Sequence, residues 1–273
     1  YITGPKVIEQ VTREQLEGCA DFDAFVQKVR EGIAAECGAL MQQYRFVAEF
    51  LEDLADQLPS RGESDRPQFQ PEVAFCSSGK ELANGDRCLW FAGPRCQYYL
   101  LLCDGMGTGL GAVQEGKTAG VMLKRLLCAG YPAEYALRSL NSLAVLRELG
   151  GCTTVDLVRL HLDTGRGTLY KWGAASSYLL KNGQLRKIGT AGPPPGLGVE
   201  KVRETVDRLS LSGGEVLILL SDGAGEDVLL RSEWTAPVPS PGGLAAALVE
   251  RGAEEGDDAT VAVVQLRSSN AVT

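Results

Sequence analysis

The most informative segment of this sequence is an apolar run that ends in an acidic, glycine-rich turn. It reads Tyr98-Tyr99-Leu100-Leu101-Leu102-Cys103-Asp104-Gly105-Met106-Gly107-Thr108-Gly109. An apolar run of this kind is typical of a buried β-strand. The glycines after Asp104 permit a tight turn and let the backbone approach a ligand closely. The segment therefore predicts a strand whose last carboxylate points into a site, although Asp-Gly is also a common turn sequence.

Three further segments place acidic residues at the ends of predicted strands. One apolar run ends in Asp222-Gly223, and another begins directly after the pair Asp257-Asp258. Asp86 precedes a third strand-like run, at residues 87–91. Oxygen-rich sites of this kind suit hard divalent cations such as Mg²⁺ or Mn²⁺.

Taken in order, the four motifs resemble those of the metal-dependent PPM family, the protein phosphatase 2C-like serine/threonine phosphatases. The matches are Gly85-Asp86, Asp104-Gly105-Met106-Gly107, Ser221-Asp222-Gly223 and Asp257-Asp258-Ala259-Thr260, spread over about residues 70–267. The Asp-Gly-Met-Gly form, with Thr-Gly close behind, is most similar to the sporulation branch of this family. The resemblance implies an α+β fold in which an antiparallel β-sandwich is flanked by helices, in the order α-β-β-α.

The resemblance also implies a cofactor of two divalent cations, Mn²⁺ or Mg²⁺, which activate a bridging water and clamp the phosphate oxygens. Asp104 would bridge the two ions, and Asp104 and Asp222 would be the catalytic residues. Asp222 and Asp257 would complete the ligands of the first ion. Asp86 and the backbone carbonyl of Gly105 would serve the second ion, directly or through water.

Three residues near these motifs have other expected roles. Adjacent residues of an extended chain point to opposite sides, so only one of Asp257 and Asp258 is expected to bind metal directly. The resemblance selects Asp257, and Asp258 is left to cap or orient its neighbours. Arg87 is the candidate for binding the substrate phosphate. The single histidine, His161, lies in a strand-like run away from all four motifs, so we expect it to be structural.

Composition limits the class of protein. The chain has 273 residues, 44% hydrophobic, and a net charge of −8, which argues against a nucleic-acid partner. Eight cysteines occur without a CxxC pair and with one histidine, which favours a reducing, cytoplasmic compartment over a zinc site. Without a signal peptide or a long apolar run, we expect no membrane contact by this chain. The resemblance adds that the chain could be the soluble part of a membrane-anchored protein.

Periodicity divides the chain into two parts. Residues 11–58 show apolar positions at three- and four-residue steps, which predicts helix, and residues 59–70 have the composition of a linker. We therefore expect a helical regulatory or dimerisation segment with its linker at 1–62 and a phosphatase domain at 63–273. The resemblance favours regulation and a homodimer over a helix that is merely docked.

The domain at 63–273 is expected to contain many short strands and three helices. The predicted helices are 109–129, 132–149 and one near 241–252. The predicted strands are 71–80, 86–92, 97–103, 153–163, 167–173, 176–181, 184–189, 203–210, 215–221 and 259–267. Asn182-Gly183 is expected to form a hairpin turn.

The sequence thus predicts a Mn²⁺- or Mg²⁺-dependent phosphatase acting on phosphoserine or phosphothreonine in a phosphoprotein. The resemblance suggests a phosphorylated anti-sigma factor antagonist as the substrate. One alternative is a non-catalytic module of the same fold, which retention of all four acidic motifs disfavours. The other is a different metal-dependent phosphoesterase, such as a nuclease, which the acidic balance disfavours.

Overall fold

The computed structural model describes most of the chain beyond residue 65. The described residues are 26–34, 66–79, 85–105, 109–146, 153–189, 194–195, 205–212, 214–224, 226–231, 240–252 and 258–269. The chain divides into two compact units, Tyr1–Arg61 and Gly62–Thr273. In the first unit residues 26–34 are helical, and the rest of the predicted helical segment lies outside the described residues. Its regulatory or dimer-forming role stays a prediction.

The second unit is built on two antiparallel sheets. The strands are β1 (Phe69–Ser78), β2 (Arg87–Ala92), β3 (Gln97–Gly105), β4 (Thr153–His161), β5 (Arg166–Trp172), β6 (Ser177–Lys181), β7 (Gln184–Ile188), β8 (Thr205–Ser210), β9 (Val216–Leu220) and β10 (Ala259–Ser268). One sheet has the order β1-β10-β9-β6-β7, and the other has the order β2-β3-β4-β5-β8. The helices are α1 (Gly109–Cys128), α2 (Ala133–Leu146), α3 (Glu226–Arg231) and α4 (Pro241–Gly252).

Strand alternation sorts the apolar side chains into three layers. Leu100 and Leu102 of β3 belong to the core between the two sheets, whereas Leu101 and Cys103 belong to the core beneath α1 and α2. A third core lies between the other sheet and helices α3 and α4. Because successive side chains of a strand point to opposite faces, a strand covered on both faces must be apolar throughout. The predicted α-β-β-α sandwich is therefore confirmed.

The predicted strands and helices agree with the observed ones to within about three residues at their ends. The hairpin at Asn182-Gly183 is also confirmed, because both residues have the positive φ angles of 50° and 75° that a two-residue turn requires. Helix α3 was not predicted, since six residues are too few to show a helical period. Within the described part of the chain, no helix is long and apolar enough to cross a membrane.

Candidate active site

Aspartates from three separate parts of the chain meet at one end of the gap between the sheets. Asp104 is the last residue but one of β3, Asp222 follows β9, and Asp86 precedes β2. The carboxyl group of Asp104 lies within hydrogen-bonding reach of those of Asp86 and Asp222. The structure thus brings Asp104 close to two other predicted metal ligands, Asp86 and Asp222. Gly105, the fourth, is the last residue of β3, while Asp257 lies outside the described residues.

Asp258 connects the start of β10 to the turn before β2. The backbone N–H of Gly85 donates a hydrogen bond of 2.9 Å to Asp258 Oδ2, across 173 residues of sequence. Asp258 also acts electrostatically on the carboxyl group of Asp86. Asp258 therefore orients the turn that carries Asp86, a role that the sequence left open.

Hydroxyl groups lie beside the carboxyl group of Asp86. Those of Thr260 and Ser221 favour its ionised form and lower its pKa. These two residues are fixed to each other, because Thr260 N–H donates to Ser221 Oγ at 2.8 Å and Ser221 N–H donates to the Thr260 carbonyl at 2.9 Å. Thr153 donates its hydroxyl to the carbonyl oxygen of Asp104 at 2.9 Å. Sequence reasoning missed these supports, although Ser221 and Thr260 stand within the aspartate motifs themselves.

Burial and nearby negative charge make the carboxyl groups of Asp86 and Asp104 hard to ionise. Burial raises the pKa of Asp104 most, and together with the neighbouring Asp86 and Asp222 it brings that pKa to about 8. The pKa of Asp86 is also raised, chiefly by burial, while the hydrogen bonds from Thr260 and Ser221 act against that shift. A site of this kind gains from a bound cation, because the cation removes the repulsion among the carboxylates.

The donor set fits a hard divalent cation in its chemistry. Its side-chain donors are carboxylate oxygens, the ligand type that Mg²⁺ and Mn²⁺ prefer. Among the described residues no three carboxylate, imidazole or thiol groups lie close enough together to hold a metal ion. The predicted ligand Asp257 lies outside those residues, so the described part contains only a portion of the expected set.

Mn²⁺ binding is expected to be pH-dependent. Below about pH 8 a proton on Asp104 competes with the cation. The apparent affinity should therefore fall about tenfold for each pH unit below that value. Calorimetric titration of metal-free protein with Mn²⁺ between about pH 6 and pH 9 measures this slope. An affinity that stays constant over this range would contradict the account.

Helix α1 packs directly onto the backbone of the site. A Cβ atom added to Gly105 would lie 2.1 Å from the carbonyl oxygen of Ala112. A Cβ atom added to Gly116 would lie 2.6 Å from the carbonyl oxygen of Gly85. Both contacts are with backbone, which cannot move aside as a flexible side chain would. The absence of side chains at Gly105 and Gly116 therefore sets the distance between α1 and the residues that carry Asp86 and Asp104.

Replacing Gly116 with alanine is expected to lower turnover roughly tenfold or more, because displacing Gly85 moves Asp86 away from its partners. Gly111→Ala is the matched control in the same helix, since a Cβ placed there meets no described residue within 4 Å outside the adjoining residues and backbone of that helix. That control should keep full activity and gain up to about 1 kcal/mol of stability from helix propensity. Steady-state kinetics and thermal unfolding of both variants measure this, and equal activity in the two would refute the packing argument.

His161 lies apart from the aspartates, whereas Arg87 directly follows Asp86 and is paired in the sheet with Cys103. His161 is the last residue of β4, whereas Thr153, at the other end of that strand, touches Asp104. At about 3.3 Å per residue the two ends are roughly 26 Å apart, which supports the structural role expected for His161. Arg87 is exposed at the first position of β2, and its contact with substrate stays a prediction.

Comparison with known proteins identifies the family. The profile of stage II sporulation protein E (SpoIIE) matches residues 94–267, more than half of the chain. The chain belongs to the SpoIIE family. Two curated SpoIIE proteins, from Priestia megaterium and Bacillus subtilis, are each 28% identical to it over 155 residues, 56% of the chain. The matched region covers only 26% and 19% of those two proteins, respectively.

Solved structures agree with this SpoIIE assignment. The PP2C phosphatase domain of B. subtilis SpoIIE, with a fragment of its regulatory domain, superimposes with a TM-score of 0.67 at 23% identity, covering 75% of this chain and 65% of that one. The catalytic domain of the phosphatase PstP, in complex with two manganese ions, gives 0.58 at 20% identity, covering 72% and 98%. Likeness at this level of identity shows the fold. The chain therefore contains a PP2C-like phosphatase domain of the SpoIIE family.

Proposed function

We propose that this domain is a metal-dependent phosphoprotein phosphatase that hydrolyses phosphoserine and phosphothreonine. The observation that carries the proposal is the approach of Asp104 to both Asp86 and Asp222 at the end of the sandwich. Membership of the SpoIIE family and the PP2C-like fold support it. A bare carboxylate cluster would repel a phosphate dianion, so the proposal includes two divalent cations, Mn²⁺ or Mg²⁺.

Each predicted ligand has a place in this account. Asp104 would contact both ions, Asp222 and Asp257 would complete the first set, and Asp86 with the Gly105 carbonyl would serve the second. When bound, such ions lower the pKa of water and neutralise charge on the phosphate.

The chain's own residues prepare this site. Asp104 releases its proton when a cation binds, because only the ionised carboxylate is a good ligand. Ser221 and Thr260 favour the ionised form of the Asp86 carboxyl group. Asp258 fixes the turn at Gly85, so that Asp86 does not depend on a cation for its position.

The substrate is proposed to be a phosphoprotein of the anti-sigma factor antagonist type, acted on in the cytoplasm. Family membership supports this proposal, and so does a structural likeness to the RsbU and RsbW domains of Rv1364c from Mycobacterium tuberculosis, with a TM-score of 0.61. We further propose that residues 1–62 regulate the domain or pair two copies of it. Mass in solution, compared between the full chain and a chain beginning near residue 63, tests the last point.

Hydrolysis of a phosphoserine peptide with Mn²⁺ and with excess chelator tests the proposed activity. We expect turnover that requires the metal and returns when Mn²⁺ is restored. The His161→Gln variant should differ from the native chain by less than about threefold, since His161 lies far from the site. Metal-independent turnover would exclude the proposed chemistry, and a well-folded chain inactive at every Mn²⁺ concentration would favour a non-catalytic module.

A further inference from the structure

The described residues form a groove of about 750 Å³ on one side of the sandwich. It lies between β6 and β7 of one sheet and β5 and β8 of the other. The groove is lined by Arg166, Leu179, Lys181, Asn182, Gln184, Arg186, Arg208, Leu209 and Ser210. Leu179 and Leu209 are buried, while the four basic residues are exposed. The groove thus has an apolar floor and a cationic rim.

Groove and aspartate cluster lie at opposite ends of the sandwich. Strand β6 runs from a position opposite Leu219, near Asp222, to Lys181 at the other end. Strand β5 likewise ends at Trp172, near the partner residues of Asp104, and begins at Arg166 in the groove. At about 3.3 Å per residue, five or six strand residues separate the two sites by roughly 20 Å. The groove is therefore not part of the proposed active site.

The cations of the groove are largely available to a ligand. Lys181 is paired with Glu215 at 2.8 Å. Among the described residues no carboxylate lies within ion-pairing distance of the side chains of Arg166, Arg186 and Arg208. Three guanidinium groups without an ion-pair partner among the described residues form a strong local positive field beside one groove, in a chain whose net charge is −8. Charge complementarity thus favours an anionic ligand.

The shape of the groove favours an extended chain over a small anion. Its cations come from four strands and so are spread along an open groove, without converging on one point. Strands β7 and β8 are the last strands of their sheets, so no further described strand pairs with their outer edges. An extended peptide can hydrogen-bond to such an edge while its alternate side chains reach toward the arginines. Guanidinium groups suit this role because they bind carboxylates in a bidentate manner.

We propose that this groove binds an extended acidic segment of a partner protein. The occupant is a protein segment rich in aspartate or glutamate that docks at a distance from the aspartate cluster. Its binding does not require the proposed phosphatase activity. The two proposals can therefore fail independently.

Fluorescence anisotropy with a labelled peptide tests this inference on the full chain. The probe is a peptide of about ten residues in which glutamate and threonine alternate, at physiological ionic strength. The variant Arg186→Glu/Arg208→Glu is expected to weaken its binding at least about tenfold. The matched variant Arg125→Glu/Arg231→Glu reverses the same number of exposed charges on α1 and α3, and should change the affinity by less than about threefold. Turnover of a small phosphomonoester should be the same in both variants.

Several results would overturn the proposal. These are the absence of saturable binding, an equal loss of affinity in both double variants, and a loss of turnover in the groove variant alone. Inorganic pyrophosphate is added until it supplies the same concentration of negative charge as the peptide. Displacement of the peptide under this condition would also overturn the proposal, because the groove would then be a site for small anions. Both variants should unfold at the same temperature as the native chain, which confirms that the comparison is between folded proteins.

Discussion

Asparagine in place of Asp104 is expected to lower Mn²⁺-dependent turnover on the order of 10²–10³-fold while leaving the domain folded. The substitution preserves shape but removes the charge that lies between Asp86 and Asp222. Steady-state kinetics across a range of Mn²⁺ concentrations measures the loss. Asp227→Asn is the matched control, because Asp227 is an exposed residue of α3, paired only loosely with Arg231 at 3.8 Å.

The Asp104→Asn variant should be more stable than the native chain when metal is absent. The pKa of Asp104 is raised from 3.8 to about 8 in the folded protein, so the folded state holds a proton that the unfolded state has lost. Stability of the native, metal-free chain therefore falls as the pH rises from about 4 to about 8. The advantage of Asp104→Asn should grow over that window. Native-like turnover in Asp104→Asn at saturating Mn²⁺ would show that Asp104 is not a metal ligand.

Methionine in place of Lys171 is expected to lower the free energy of unfolding by about 3–5 kcal/mol. Lys171 Nζ donates to Asp156 Oδ1 at 2.5 Å and to Ser177 Oγ at 2.8 Å. All three residues are fully buried. Burial raises the pKa of Asp156 to about 6 even with Lys171 beside it, and without the ammonium group the carboxylate would be buried without a counter-charge.

Urea unfolding of Lys171→Met measures this loss. The double variant Lys171→Met/Asp156→Leu removes both charges and should recover most of the stability, because an apolar pair carries no cost of ion burial. A loss below about 1 kcal/mol in the single variant would mean that the pair is solvated in solution. If both variants lose the same free energy of unfolding, the single variant is destabilised by altered packing and not by an unpaired charge.

The features that could be predicted from the sequence are those that depend on consecutive residues. The run ending at Asp104 is apolar without interruption because both faces of β3 are covered, so its strand conformation and its burial follow from composition. Asn182-Gly183 specifies its turn because both residues tolerate a positive φ angle. The aspartate motifs could be grouped because four of them occur at strand ends in the order that the family shows.

Contacts between distant residues could not be predicted in this way. Asp258 reads as one of two acidic turn residues, and its bond to Gly85 depends on how β10 and β2 are placed in different sheets. From the sequence alone, Lys171 and Asp156 would be interpreted as solvent-exposed charges. The residues around each of them do not indicate that β5 and β4 place the two side chains together in the interior. The cationic groove likewise comes from strands β5 to β8, whose arrangement across the two sheets is a property of the whole fold.

The central claim is that the carboxylates of Asp86, Asp104 and Asp222 form the protein's metal centre. Anomalous X-ray diffraction at the manganese absorption edge, from crystals equilibrated with Mn²⁺, tests it most directly. The account predicts two manganese peaks that share Asp104 as a ligand, one bound also by Asp222 and the other beside Asp86. Crystals saturated with Mn²⁺ that show no manganese at these three carboxylates would contradict it.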